Sequence, residues 1–294
     1  MNTGLNTLPD QPTGHHPAGR HPTGQQVRRL PVPADPARTL RRGSLAGAAV
    51  VLVVVHALAF EGTGFQPALL AEGAEGMARF IGDAFPPDLD WEEVLKPSLE
   101  ATLVTLWIGL LGTTVSIPTA LLLAVLAANT TTPNRLVYQA ARAVLSFFRA
   151  VPDIVFALIF VTAVGLGPFA GVLALICHNT GVMGKLWAES MEEMDHGPQE
   201  ALRTAGASRL QQVAHATLPM AIPQFVGLLL YRFDVNVRSS LVLGLVGAGG
   251  IGLLINQSIK SFQFDEMLTH IIVVLVLIIV VDQVSALIRR RLAV

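Results

Sequence analysis

Arg149, Asp153, Arg232, Asp234, Asn236 and Arg238 stand inside long apolar stretches of this chain. A charge in such a setting is costly unless it is paired or put to use, so each is a candidate for function. Spacing sorts them only in part. Asp234 and Arg238 are four residues apart, as are Arg149 and Asp153, so each couple can close an ion pair along one helix face. Arg232 has no carboxylate four residues away on either side. With Asn236 and Ser239 or Ser240 it forms a polar stripe whose cation needs another helix, a bound anion or water. His178, Asn179 and Thr180 add polar groups in a further apolar run, where they either face a lumen or satisfy helix packing. The chemistry on offer is electrostatic, and its excess of positive charge suits passage of an anion.

Bond-making chemistry lacks its usual residues. No His/carboxylate cluster has metal-ligand spacing, and no nucleophile elbow occurs. The single cysteine, Cys177, sits in an apolar run and reads as a small hydrophobe. Gly247-Ala248-Gly249-Gly250-Ile251-Gly252 formally satisfies a dinucleotide fingerprint, but no strand alternation precedes it. Gly247, Gly249, Gly250 and Gly252 read instead as a bend where backbones approach closely or the chain flexes. Gly184-Lys185 is followed by Leu186 and lacks the leading glycine of a Walker A loop, so the chain has no nucleotide site of its own.

The elements that must hold these residues are membrane helices. Apolar residues make up 52% of the chain, charged residues 14%, and mean hydropathy is +0.55. That is too little charge for the surface of a water-soluble domain and indicates an all-α integral membrane protein. A crossing helix needs about 20 apolar residues. Six segments qualify, near 44–61, 99–128, 137–165, 168–190, 220–245 and 268–288. Pro118 and Pro152 fall inside two of them and should kink the helix, freeing carbonyls toward a cavity or a partner helix. Residues 1–43 are rich in Pro, Gly, Thr and Arg and read as a disordered, cytoplasmic tail. His15, His16 and His21 in that tail have irregular spacing and read as solvated rather than metal-binding.

Arginine placement orients the spans. The tail carries Arg20, Arg28, Arg29, Arg38, Arg41 and Arg42, and the C-terminus carries Arg289, Arg290 and Arg291, so both ends are expected in the cytoplasm. The loop 62–98 holds Glu72, Glu75, Asp83, Asp88, Asp90, Glu92 and Glu93 against Arg79 and Lys96 and belongs outside. Counting about 1.5 Å per residue puts Arg149 and Arg232 near the midplane and Arg238 nearer the outer surface. The segment 191–219 then falls on the cytoplasmic side. Within it Pro198 suits a first helical turn, Gly206 ends that helix, Ser208 caps a second, and Pro219 is expected to stop it.

This segment, Glu200-Ala201-Leu202 with Gly206, Ala207, Leu218 and Pro219, resembles the EAA loop of ABC-importer permeases, with Leu202 in place of the second alanine. From about Phe80 onward the chain is similar to the permeases of phosphonate importers, through Phe148-Arg149-Ala150-Val151-Pro152, Gly167-Pro168-Phe169, Tyr231-Arg232-Phe233, Asn236-Val237-Arg238-Ser239 and the glycine bend. The resemblance implies a type I importer permease of MetI-like fold in a bacterial inner membrane, with a five-helix core over 99–294. It implies a homodimer and two ATP-binding subunits that hold ATP and Mg and dock on the EAA loop. It also implies an extracytoplasmic binding protein delivering phosphonate, phosphite, hypophosphite or phosphate. Nucleic acid has no place in this scheme. Two rivals remain: a type I permease for an amino acid such as methionine, and a non-transporting scaffold or membrane-bound enzyme.

Overall fold

A computed structural model describes residues 36–292, with side-chain surroundings for 44–291. The expected disorder of the first 35 residues, and the three tail histidines, lie outside the described residues. The chain divides into a unit ending at Leu70 and a second running from Ala71.

In the first unit α1 spans Pro36–Thr63, so the helix begins eight residues before the expected start at 44. Proline is at home in a first turn, and Ala37, Arg38, Leu40, Arg41 and Arg42 favour helix, which overrides the tail composition that read as disorder. The valine and leucine side chains of α1 are exposed along the apolar run, as a lipid-facing helix requires. The short α2, Ala68–Glu72, follows.

The second unit opens with α3, Ala74–Ala84. A π-turn, Trp91–Leu95, is capped by the Asp90 carboxylate, which accepts from the backbone N–H of Glu92 and Glu93 at 2.9 Å. Helix α4, Lys96–Ala127, passes through Pro118 without ending. Next come α5, Arg135–Ala150, and α6, Asp153–Val164, and then α7, Pro168–Glu193. Helices α8, Gly197–Thr204, and α9, Arg209–Gln212, flank Gly206. After a second π-turn, Val213–Thr217, come α10, Leu218–Leu245, α11, Ile251–Lys260, and α12, Phe264–Leu292. Among the described residues five helical segments are long and apolar enough to cross a membrane, or six if α5 and α6 count as one bent span.

That bent pair corrects the continuous span expected over 137–165. Helices α5 and α6 meet at 84°. Val151, forced off helical geometry by the following proline, takes φ −82° and ψ 121°, and Pro152 has no N–H to continue the ladder. A second correction concerns Pro219. It does not stop the helix, because the π-turn before it widens the backbone and lets α9 run on into α10 as one segment, Arg209–Leu245.

The core is built on small residues, since lipid gives no hydrophobic drive for helices to associate and close contact must supply the energy. Ala120 and Ala124 on α4 and Ala174 and Ala188 on α7 are almost fully buried. A Cβ on Gly112 would lie 2.5 Å from that of Leu175, and one on Gly184 would lie 2.4 Å from Leu145 Cδ2. Larger side chains fill the half nearer the Gly206 bend, where the Trp187 and Phe225 rings stack 4.8 Å apart.

Candidate anion site and coupling bend

Helix α10 carries Arg232 into the junction of α4, α7 and α10, where only 8% of its surface remains exposed. Its Nε donates to Asn179 Oδ1 of α7 at 3.0 Å, and Nη2 donates to Asn236 Oδ1 one turn along α10 at 3.2 Å. Each amide passes the network to α4: Asn179 Nδ2 donates to Ser116 Oγ at 2.6 Å and Asn236 Nδ2 to Thr113 Oγ1 at 2.8 Å. Those hydroxyls spend their own protons on helix carbonyls, Ser116 on Thr113 and Thr113 on Gly109, both at 2.7 Å. The partner Arg232 lacked within its own helix is therefore supplied by α7. Sequence reasoning missed Thr113 and Ser116, although small hydroxyls three residues apart in an apolar helix were a readable sign.

Among the described residues no carboxylate lies within 4.0 Å of Arg232 or Arg149. Asp153 lies within electrostatic reach of Arg232. The ion pair expected between Arg149 and Asp153 does not form, because the 84° break separates the end of α5 from the start of α6. Arg149 is exposed, while the half-buried Asp153 carboxylate accepts from the Ile154 N–H at 2.9 Å. The break is pinned from α7: His178 Nδ1 lies 3.1 Å from the Val151 carbonyl, and a Cβ on Gly181 would lie 2.6 Å from Arg149 N.

The other expected pair is present. Arg238 Nη2 donates to Asp234 Oδ2 at 2.7 Å, and Asp282 of α12 lies 3.8 Å away. Asp234 is buried, its Oδ1 has no partner, and Arg238 is half exposed. Ser239 is half-buried, whereas Ser240 is buried and donates to the Thr105 carbonyl at 3.0 Å.

The glycine bend joins α10 to α11 by close backbone approach. Gly247, Gly249 and Gly250 all have positive φ, and Gly167 N–H donates to the Gly247 carbonyl at 3.0 Å. A Cβ on Gly252 would lie 2.1 Å from the Leu241 carbonyl. On the opposite side of the bundle Gly206 has φ +85°, and Ser208 and Gln211 form a reciprocal capping box. Glu200, Ala201, Gly206 and Pro219 are exposed and Ala207 and Leu218 half-buried, so the bend presents an open face. Arg209 ties it to the α4–α5 connector by donating to the Thr132 and Pro133 carbonyls at 2.9 Å. Beside that tie Arg142 of α5 grips Glu192 of α7 through both carboxylate oxygens, at 3.0 and 2.8 Å.

The second unit is thus a helical bundle of candidate membrane spans, with Arg232 buried where α4, α7 and α10 meet and an exposed helix–glycine–helix bend leading into α10. Over residues 120–294 the chain matches, and belongs to, the family described as binding-protein-dependent transport system inner membrane component. It is an all-helical permease of a multi-pass inner-membrane family whose members act with ATP-binding subunits and a substrate-binding protein. It is 38% identical over 223 residues to the phosphite transport system permease protein PtxC of Stutzerimonas stutzeri, covering 76% of this chain and 80% of that one. It is likewise 38% identical over 230 residues to the phosphate-import permease protein PhnE of Mycolicibacterium smegmatis, covering 78% of this chain and 42% of that longer protein. In fold it is similar to a chain of the inward-facing MetNI methionine ABC transporter, with TM-score 0.56, 23% identity, and coverage of 68% of this chain and 96% of that one.

Proposed function

We propose that this chain forms the passage of an ATP-driven importer for a phosphorus oxyanion: phosphonate, phosphite, hypophosphite or phosphate. Two copies pair in the bacterial inner membrane with their termini in the cytoplasm. Each Glu200–Ala207 bend docks on an ATP-binding subunit that holds ATP and Mg, and an extracytoplasmic binding protein delivers the solute. The complex hydrolyses ATP; this chain contributes the path and the docking face.

The observation that carries the reading is the Arg232 guanidinium, buried without a carboxylate within 4.0 Å among the described residues. A buried cation left uncompensated is unstable unless a bound anion completes it. Relatives named for phosphite and phosphate transport support the choice of phosphorus oxyanions over an amino acid. ATP and the loaded binding protein act by preferring one of two conformations, so coupling requires that the bend and the site move together.

Uptake of labelled phosphite and phosphonate tests this in cells expressing the permease with its ATPase and binding protein. The wild-type complex accumulates one or both, and Arg232→Gln loses most of that uptake at equal membrane abundance. Wild-type uptake by Arg232→Gln would remove the residue from the path. Failure of the wild-type complex to accumulate any phosphorus oxyanion would reject the reading as a whole.

A further inference from the structure

We propose that Asn179 and Asn236 set the charge selectivity of the passage: they hold Arg232 through neutral amide oxygens and so keep it a cation that only an anion completes. The proposal rests on the anion-import reading above and names the residues that make the site selective.

The guanidinium has five N–H donors in a fixed fork. Nε and Nη2 are held by the two amide oxygens. Nη1 makes no hydrogen bond among the described residues, yet it is absent from the fully buried, unpartnered atoms, so the small surface Arg232 retains includes this nitrogen. The fork is gripped on one side and open on the other.

The orientation of both amides follows from α4. Ser116 and Thr113 hold their protons on backbone carbonyls and accept from the amides, so each amide turns its NH2 toward α4 and its oxygen toward Arg232. Carboxylates would fill the same space and bind the guanidinium more strongly as charge-assisted pairs, once Ser116 and Thr113 swing their protons from the helix carbonyls to the new oxygen. They would also cancel its charge. Neither nearby acidic group bonds to it: Asp234 is engaged by Arg238, and Asp153, though within electrostatic reach, is turned onto the Ile154 N–H. A scaffold needing only a firm grip on Arg232 is served better by Asp than by Asn. A site that must leave the cation available is served only by the amide.

The substitutions Asn179→Asp, Asn236→Asp and Asn179→Ala separate these roles. Each variant is expressed with the ATPase and binding protein and assayed for phosphite uptake at matched membrane abundance and for apparent melting temperature of the purified complex. Both Asp variants are expected to melt at or above the wild-type temperature while uptake falls by at least about tenfold, since the new carboxylate competes with the substrate for Arg232. Asn179→Ala is expected to melt lower yet keep more uptake than Asn179→Asp. Uptake and stability thus rank in opposite orders, which a cross-linking role does not produce. Wild-type uptake by the Asp variants overturns the proposal, as does an uptake order that simply follows melting temperature. Loss of an Asp variant from the membrane also counts against it, because the carboxylate should hold Arg232 at least as firmly. If the wild-type complex itself takes up no phosphorus oxyanion, it is the import reading that has failed.

Discussion

Replacing Gly250 with alanine should damage the bundle more than the same change at a turn glycine with open space around it, such as Gly206. The added Cβ would sit 2.4 Å from Thr105 Oγ1, about 1 Å inside ordinary contact, on a residue whose φ is +72°. Thr105 cannot retreat. It is fully buried, its hydroxyl accepts from Ile251 N–H at 2.9 Å and donates to the Ala101 carbonyl at 3.0 Å, and its own carbonyl accepts from Ser240. With ψ −169° Gly250 occupies a region essentially confined to glycine, which costs an alanine about 1–3 kcal/mol, and overpacking adds about 1–3 kcal/mol. The sum, roughly 2–6 kcal/mol, should lower the apparent melting temperature of the detergent-purified complex by roughly 5–20 °C. Gly206→Ala supplies the control, because its φ is +85° but nothing lies within 4 Å of the added atom, leaving about 1–2 kcal/mol of backbone strain alone. Thr105→Ala removes the clash at the expense of stranding the Ile251 N–H, so the two changes should be non-additive by about 1 kcal/mol or more. If Gly250→Ala melts with Gly206→Ala, or if the cycle with Thr105→Ala is additive, the close approach is not what makes Gly250 necessary.

Three further outcomes are expected. Gly206→Asp and Glu200→Lys should reach the membrane in normal amounts but lose substrate-stimulated ATP hydrolysis; retained stimulation in both would detach the bend from the ATPase. With Cys177 replaced, a cysteine at the exposed Asp83 should react with an impermeant thiol reagent on intact cells and one at the exposed Arg203 should not, the reverse pattern inverting the topology. Arg238→Gln should cost about 1–3 kcal/mol by stranding the buried Asp234, and adding Asp234→Asn should restore abundance. Restored abundance without uptake in that double variant places Arg238 on the path, whereas restored uptake makes the pair structural.

Local rules made the bend legible: Gly206 is where the backbone needs positive φ, and Ser208 is where a cap is needed, so neither depended on distant packing. The i,i+4 rule found Asp234 and Arg238 for the same reason. It failed for Arg149 and Asp153 because it assumes an unbroken helix, and a proline that kinks one helix and splits another looks the same in one dimension. Pro118 stays within α4, while Pro152 ends α5, and the difference lies in α7, whose His178 and Gly181 receive the broken end. Asn179 was readable as polar, but its contact with Arg232 joins residues 53 positions apart, and the Thr113 and Ser116 hydroxyls behind it are more distant still. Asp282 beside Arg238 and Glu192 beside Arg142 were invisible for the same reason.

The two regions that the functional reading needs to move together are joined by covalent geometry. Arg209 to Leu245 is a single helical segment, with the bend at its start and Arg232 within it, 23 residues along or roughly 35 Å at 1.5 Å per residue. A displacement of the bend therefore reaches Arg232 without passing through side-chain contacts, provided the segment behaves as a rod. The π-turn Val213–Thr217 is where that rod can yield, because its widened hydrogen-bonding is weaker than α-helix and Pro219 supplies no N–H just beyond it. Opposing it, α7 carries Asn179 at one level and Glu192 at another, and Glu192 is clamped by Arg142 and also accepts from Asn129 N–H at 2.7 Å. Helix α7 is thus fixed at its Glu192 end, while in the proposed cycle α10 is driven from the bend. Relative motion of the two then falls on the Asn179–Arg232 bond, which in the proposed import cycle sets the cation's exposure to a passing anion.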